Sequence, residues 1–341
     1  MKALKHPAAV LTLIAVILIA ASLHGISFAG DAVSAYSVLP AHDAISFPDS
    51  DAPDEGASEQ TSYSVDDGYA SERWGVDRIE ATRAWLTTTG HESIIVAVLD
   101  TGISRDSEHL AGRVVAEANF TDSPTSDDLY GHGTHMAGTI AAIAPDCRLM
   151  NVKVADDTGR SEASAVARGI IWAVDNGAQV INISLSMRAS PELEQAIDYA
   201  WDQGAIIIAA AGNQGLSEPV YPAYYANCMA VAGTNRNDRL ALLSNHGHWV
   251  DLVAPGLNIY SELPQGAYGY KTGTSAAAAH VSGVAALVLS VARDSGGDGA
   301  LNEVVRKAIE DSCSPIVGDG VGSGLVNAFQ AVAAAVTSSS L

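Results

Sequence analysis

Ile94–Leu99 is an unbroken apolar run rich in β-branched side chains. A strand that is apolar at every position must be covered on both faces. Arg148–Val154, Val180–Leu185, Ala205–Ala211 and Met229–Gly233 read as further strands. Segments of helical spacing lie between them. In Glu162–Asn176 the apolar residues Ala163, Val166, Ile170, Ile171 and Val174 share one face, and Gly177 ends the segment. Ser190 offers an N-cap, Pro191 the first helical position, and Glu192 and Glu194 an acidic first turn for a helix reaching Gly204. This alternation predicts an α/β fold: a mostly parallel sheet flanked by helices on both faces, a three-layer sandwich. In such sheets the active groups gather beyond the carboxyl ends of the strands.

With 341 residues the chain can bury one large core. Lys plus Arg number 18 and Asp plus Glu 39, a net charge of −21. So acidic a chain is not expected to bind nucleic acid or anionic membranes. Cys147, Cys228 and Cys313 match no metal-ligand spacing. Their odd number leaves a thiol outside any internal disulfide; the alternative is that all three are small buried hydrophobes.

Lys2, Lys5 and His6 precede an apolar run from Ala8 to Ala21, and Ser27-Phe28-Ala29 supplies small residues at cleavage spacing. Residues 1–29 are therefore expected to be a signal peptide, and the product secreted, extracellular or periplasmic. Left uncleaved, the same run would be an N-terminal membrane anchor, although it is short for one. From Asp31 to Glu72 there are ten acidic residues, no Lys or Arg, and no apolar periodicity. Residues 30–72 are expected to be an acidic disordered linker or short pro-segment. Residues 73–336 are expected to form one domain, followed by a tail over 337–341.

Gly273-Thr274-Ser275 opens an alanine-rich apolar segment reaching about Ala292. Alanine favours helix, so Ser275 stands at or near a helix start, where free N–H groups favour negative charge. Either Thr274 or Ser275 is an N-cap, or Ser275 is a nucleophile whose oxyanion those N–H groups hold. Asp100 follows the first strand at the turn Thr101-Gly102; it either caps that turn or orients a histidine. His132 lies in Gly131-His132-Gly133-Thr134-His135. Two histidines three apart raise a metal site, but the acidic partner of an HExxH motif is missing and no metal is expected. As a base, His132 would turn one ring nitrogen to a nucleophile and the other to a carboxylate. Asn213, in Ala210-Ala211-Gly212-Asn213, is either a turn residue with positive φ or an amide donor to an oxyanion. Together these supply nucleophile, base, orienting acid and oxyanion donor.

The motifs around Val96–Ile103, Gly131–Gly138, Ala209–Asn213 and Gly273–Gly283 resemble those of the subtilisin family of serine proteases, the subtilases. The order Asp, His, Ser is that of subtilisin, and the resemblance runs from about Arg73 to Val336. It implies a subtilisin-like fold and a serine endopeptidase with the triad Asp100, His132 and Ser275 and the oxyanion donor Asn213. It further implies polypeptide substrates bound as an added strand, framed by Gly159, Arg160, Ser161, Ser184, Leu185 and Ser186. No cofactor is required. Structural calcium remains open, although the usual calcium loop is shortened in Ala137–Asp146, and a monomer is expected.

The sequence departs from the family at several positions. Ala276 replaces the usual Met after the nucleophile, which should lessen sensitivity to oxidation. Ala279 replaces the usual Pro before His280, which leaves open acyl transfer by a peptide ligase or cyclase. A non-catalytic binding module on the same fold is a third reading. Ser186-Met187-Arg188 replaces a Gly-rich stretch and Val220 a small residue, so the primary pocket is expected to be narrowed toward modest apolar side chains. Arg160 either favours acidic residues or is simply solvated.

Overall fold

The computed structural model describes residues 72–293 and 301–338. The expected signal peptide, all of the acidic stretch except Glu72, and residues 339–341 lie outside the described residues.

Seven parallel strands form one sheet: β1 (Ile95–Asp100), β2 (Val114–Asn119), β3 (Arg148–Lys153), β4 (Val180–Ile183), β5 (Ile206–Ala210), β6 (Cys228–Thr234) and β7 (Leu252–Pro255). Their order is β2-β3-β1-β4-β5-β6-β7. A separate antiparallel hairpin pairs β8 (Ile259–Glu262) with β9 (Tyr268–Lys271). The longer helices are α1 (His132–Ile143), α2 (Ala163–Asp175), α3 (Pro191–Asp202), α4 (Thr274–Val291), α5 (Leu301–Glu310) and α6 (Ala328–Ser338).

Successive strand side chains point to opposite faces, and the two faces carry separate cores. Val96 and Val98 of β1, with Ile206 and Ile208 of β5, pack with α1, α4, α5 and α6. Ala97 and Leu99, with Ile207 and Ala209, pack with α2 and α3. Being apolar at every position therefore serves both layers, and the predicted three-layer α/β sandwich is the observed fold.

α4 is apolar on every side, as a helix inside a core must be. Its length and composition would let it cross a membrane, yet 89% of it is buried within the protein. Gly283 lets it touch α1, since a Cβ there would stand 2.7 Å from Ile143 Cβ.

Sequence patterning missed several elements. In β2, at the sheet edge, Val115 and Glu117 face outward and weaken the apolar signal. α1 opens on His-Gly-Thr-His, a poor helix signature, and the hairpin and last two helices were not foreseen. Ser190 makes no capping hydrogen bond, although Pro191 does hold the first helical position. All three cysteines are free thiols, two of them fully buried. Burial pushes the Cys147 thiol up to about 11 and that of Cys313 up to about 12, and it also raises Cys228. Cys147 and Cys228 are small buried hydrophobes, while the half-buried Cys313 donates its thiol to Ile309 O at 3.3 Å.

Candidate active site

The sheet order reverses at β1: the chain runs from it to β2 and β3 on one side, then crosses to β4 and the later strands on the other. A crevice at such a switch point is where open α/β sheets bind ligands. Asp100 ends β1, Ser184 directly follows β4, and Asn213 follows β5.

Asp100 is fully buried. Its Oδ1 accepts from its neighbour's amide, Thr101 N, at 2.8 Å and from His132 Nδ1 at 2.7 Å. A carboxylate only accepts, so the shared proton sits on Nδ1 and Nε2 carries the basic lone pair. Gly133 makes the approach possible. A Cβ there would lie 2.1 Å from the Gly102 carbonyl oxygen and 3.0 Å from Asp100 Cβ. His132 opens α1, so a helix end and a strand end meet at one glycine.

Leu99 and Ile183 are register partners, which sets Asp100 and Ser184 level on adjacent strands, about 4.8 Å apart. His132 rests on the first. Ser275 rests on the second, its Oγ donating to the Ser184 carbonyl at 3.3 Å. The Ser184 hydroxyl in turn donates to the Ser275 carbonyl at 3.1 Å. Ser275 is the second residue of α4, and its N–H belongs to the first turn, which has no helical partner. Neither Thr274 nor Ser275 is the N-cap: Gly273 holds that position without a side-chain bond.

Thr274 has a different task. Its Oγ1 accepts from Gly212 N at 3.0 Å and donates to Asn213 Oδ1 at 3.1 Å, while its own N–H donates to the same oxygen at 2.8 Å. The Asn213 amide oxygen is thus fixed. Its nitrogen, Nδ2, is buried and has no partner among the described residues. It lies beside the peptide leading into Ser275, 3.0 Å from where a Gly273 Cβ would be. Unpartnered buried donors are rare, and this one suits an oxygen that acquires charge during a reaction. Asn213 does not have positive φ; Gly212 does, at 97°.

The second histidine of the motif serves packing. His135 Nε2 donates to the carbonyls of Ile259 (2.9 Å) and Gly269 (3.2 Å), tying α1 to the hairpin. Burial, helped by the charge of Lys271, pulls its pKa down to about 3. His280 donates from Nδ1 to Ala276 O at 2.8 Å, and burial lowers it to about 4.

The segments expected to frame a substrate follow β3 and β4, on either side of β1. Gly159 is buried in a left-handed turn with φ 79°, and Arg160 is exposed. Ser161 is buried, its hydroxyl donating to Val154 O at 2.7 Å. Leu185 is a core residue, so its side chain is not available to a substrate. Ser186 and Val220 are half-buried. Met187 pairs with Tyr221 across the same wall, by N–H bonds of 2.7 and 3.3 Å.

The sequence offers Thr274 only as an N-cap, not as the holder of Asn213, and gives no role to Asn182, which is buried in β4. Asn182 Nδ2 donates to Ser184 Oγ, and its Oδ1 accepts from Ser282 Oγ, each at 3.0 Å. The available signal was a polar residue inside the apolar strand Val180–Ile183.

Comparison with known proteins points to one family. The family model that matches is the Subtilase family, over residues 91–328. Thermitase from Thermoactinomyces vulgaris is 40% identical over 285 residues, covering 79% of this chain and 99% of thermitase. Subtilisin BL from Lederbergia lenta is 40% identical over 267 residues, covering 75% and 96% respectively. A crystal structure of a lanthipeptide protease shares the fold, with TM-score 0.71 and 24% identity over 78% of this chain and 95% of that one.

Proposed function

This chain belongs to the subtilase family of serine peptidases, and from that membership we propose that it is a secreted endopeptidase acting through Ser275, His132 and Asp100. The observation that carries the reading is the Asn213 amide, its oxygen held twice by Thr274 and its nitrogen buried and unused. Such a donor costs nothing to reorganise when charge develops in front of it.

The steps follow from the positions. A polypeptide lies extended between the segments after β3 and β4, adding a strand as it binds. The Ser275 hydroxyl turns from the Ser184 carbonyl toward His132 Nε2 and loses its proton as its oxygen attacks the peptide carbonyl. Asp100 holds the ring through Nδ1 and stabilises the imidazolium without taking its proton. Asn213 Nδ2 and the Ser275 N–H hold the oxyanion. His132 then protonates the leaving amine, and water, activated by the same nitrogen, releases the acyl group.

Pairing of Met187 with Tyr221 and the bulk of Val220 support a primary pocket suited to modest apolar side chains. Export rests on Lys2, Lys5, the apolar run and Ser27-Phe28-Ala29. The test is digestion of an unfolded protein and of a mixed peptide library by the purified protein and by Ser275→Ala. Internal cleavage by the wild type alone, after Ala, Val, Leu or Met, is expected. Equal products from both proteins would refute Ser275 as nucleophile, and products ending mainly in Phe or Tyr would refute the narrowed pocket.

A further inference from the structure

We propose that Asp128 is a positioning residue for this reaction: its carboxylate locks the start of the helix carrying His132 onto the turn carrying Asp100. The proposal rests on the reading of His132 and Asp100 given above.

Asp128 is almost completely buried, four residues before His132. Its Oδ1 accepts from Thr101 Oγ1 at 2.8 Å, Tyr130 N at 3.0 Å and Gly131 N at 2.7 Å. Its Oδ2 accepts from Thr134 N at 2.9 Å and Thr134 Oγ1 at 2.6 Å. The ring of contacts closes around the histidine. Thr101, next to Asp100, accepts from Gly133 N at 2.9 Å, and Thr134 Oγ1 accepts from Ser104 N at 2.9 Å. Residues on both sides of His132 are thus held, directly or through Thr101, by one carboxylate.

The chemistry needs a carboxylate and not merely a polar group. Both oxygens face donors only, and a carboxylate accepts at both. An amide has one acceptor oxygen, so Asp128→Asn must turn its NH2 toward either the Thr101, Tyr130 and Gly131 donors or the Thr134 pair. A negative charge also suits the start of α1, where the helix dipole is positive. The contact being protected is a single hydrogen bond between Asp100 and His132. Misplacement of a reacting group by about 1 Å can cost on the order of 100-fold in rate.

The experiment compares wild type, Asp128→Asn, Thr101→Val and the remote core variant Ile170→Val, each well below its own unfolding temperature. Readouts are kcat and KM on one peptide substrate, the rate of labelling by a fluorophosphonate, and the downfield His132 Nδ1–H proton resonance. The expected result for Asp128→Asn is a kcat at least 10-fold lower, KM within threefold, labelling slowed in parallel, and the resonance displaced or broadened. Thr101→Val should show the same pattern more weakly, and decides the matter if Asp128→Asn does not fold. Ile170→Val should lose stability but keep kcat and the resonance. Folded Asp128→Asn with kcat within threefold of wild type and an unchanged resonance would overturn the proposal. Wild type that does not label at all would instead sink the reading of Ser275 and His132, and the proposal with it.

Discussion

Replacing Asn213 separates its two halves. In Asn213→Ala, Thr274 N and Thr274 Oγ1 both lose their acceptor. At about 1 kcal/mol for each bond, folding should weaken by about 2 kcal/mol. For a domain of this size that lowers Tm by roughly 4–8 °C. The nitrogen makes no hydrogen bond in the resting state among the described residues, so it adds no bond there for the substitution to remove. If Nδ2 holds the oxyanion as proposed, its loss should cost the transition state about 3 kcal/mol or 10²–10³ in kcat, a magnitude known from subtilisin itself and carried over here. Asn213→Asp keeps an acceptor for Thr274 but offers the oxyanion no donor. It should lose at least as much kcat, while the carboxylate oxygen that replaces the buried Nδ2 lowers Tm through its own desolvation. Thermal unfolding and steady-state kinetics on a peptide amide, with KM expected within threefold, test both variants. Folded Asn213→Ala keeping more than a fifth of wild-type kcat would refute the assignment of Nδ2. So would an Asn213→Asp variant as active as wild type.

Other predictions follow from neighbouring contacts. Gly133→Ala puts a methyl 2.1 Å from a backbone oxygen, so α1 must shift; activity should fall at least 100-fold, measurable by peptide hydrolysis on folded protein. Lys153, fully buried, donates to Thr101 O and to Asp127 O (3.3 Å) and pairs with Asp157 at 2.9 Å. Water reaches Asp157, so Lys153→Met should cost about 2–3 kcal/mol by urea unfolding, less than for a wholly buried pair. His135 and His280, lowered to about 3 and about 4, stay neutral in the folded chain while the unfolded chain protonates them below about 6.5. Their stabilisation is whole above pH 6.5 and drains as pH falls, by about 2–3 kcal/mol for His280 at pH 4.5. Glu262, raised to about 7 by burial, acts in the opposite sense: its contribution is whole below about 4.5 and is lost as pH rises through 7. Urea unfolding of Ser275→Ala at pH 7.5 and 4.5, with and without His280→Gln, isolates the pH dependence due to His280, which the substitution should remove.

The layers were legible because their causes are local. A strand such as Ile95–Asp100 announces two covered faces through its own composition, and α2 announces one covered face through its spacing. Asp100, His132, Asn213 and Ser275 were legible because each sits beside glycine or small residues at an element's end. What joins them was not. Nothing in the order of residues says that Thr274 spends its hydroxyl on Asn213, or that Asp128 gathers donors from Thr101 to Thr134. Those bonds depend on elements meeting in space. The same holds for α1, whose histidines, glycines and threonines are held helical by packing against α4 and the hairpin rather than by propensity. Thr274 and Ser190 show the converse: Thr274 stands one residue past the N-cap, which is Gly273, and Ser190 holds the N-cap position without a side-chain capping bond.

The most direct test of the account is to react the folded protein with a fluorophosphonate and map the adduct by mass spectrometry. One phosphonyl group on Ser275 is expected, formed rapidly in wild type, slowed by orders of magnitude in His132→Ala, and absent in Ser275→Ala. Folded wild type that takes up no label, or that carries it on another serine, would contradict it.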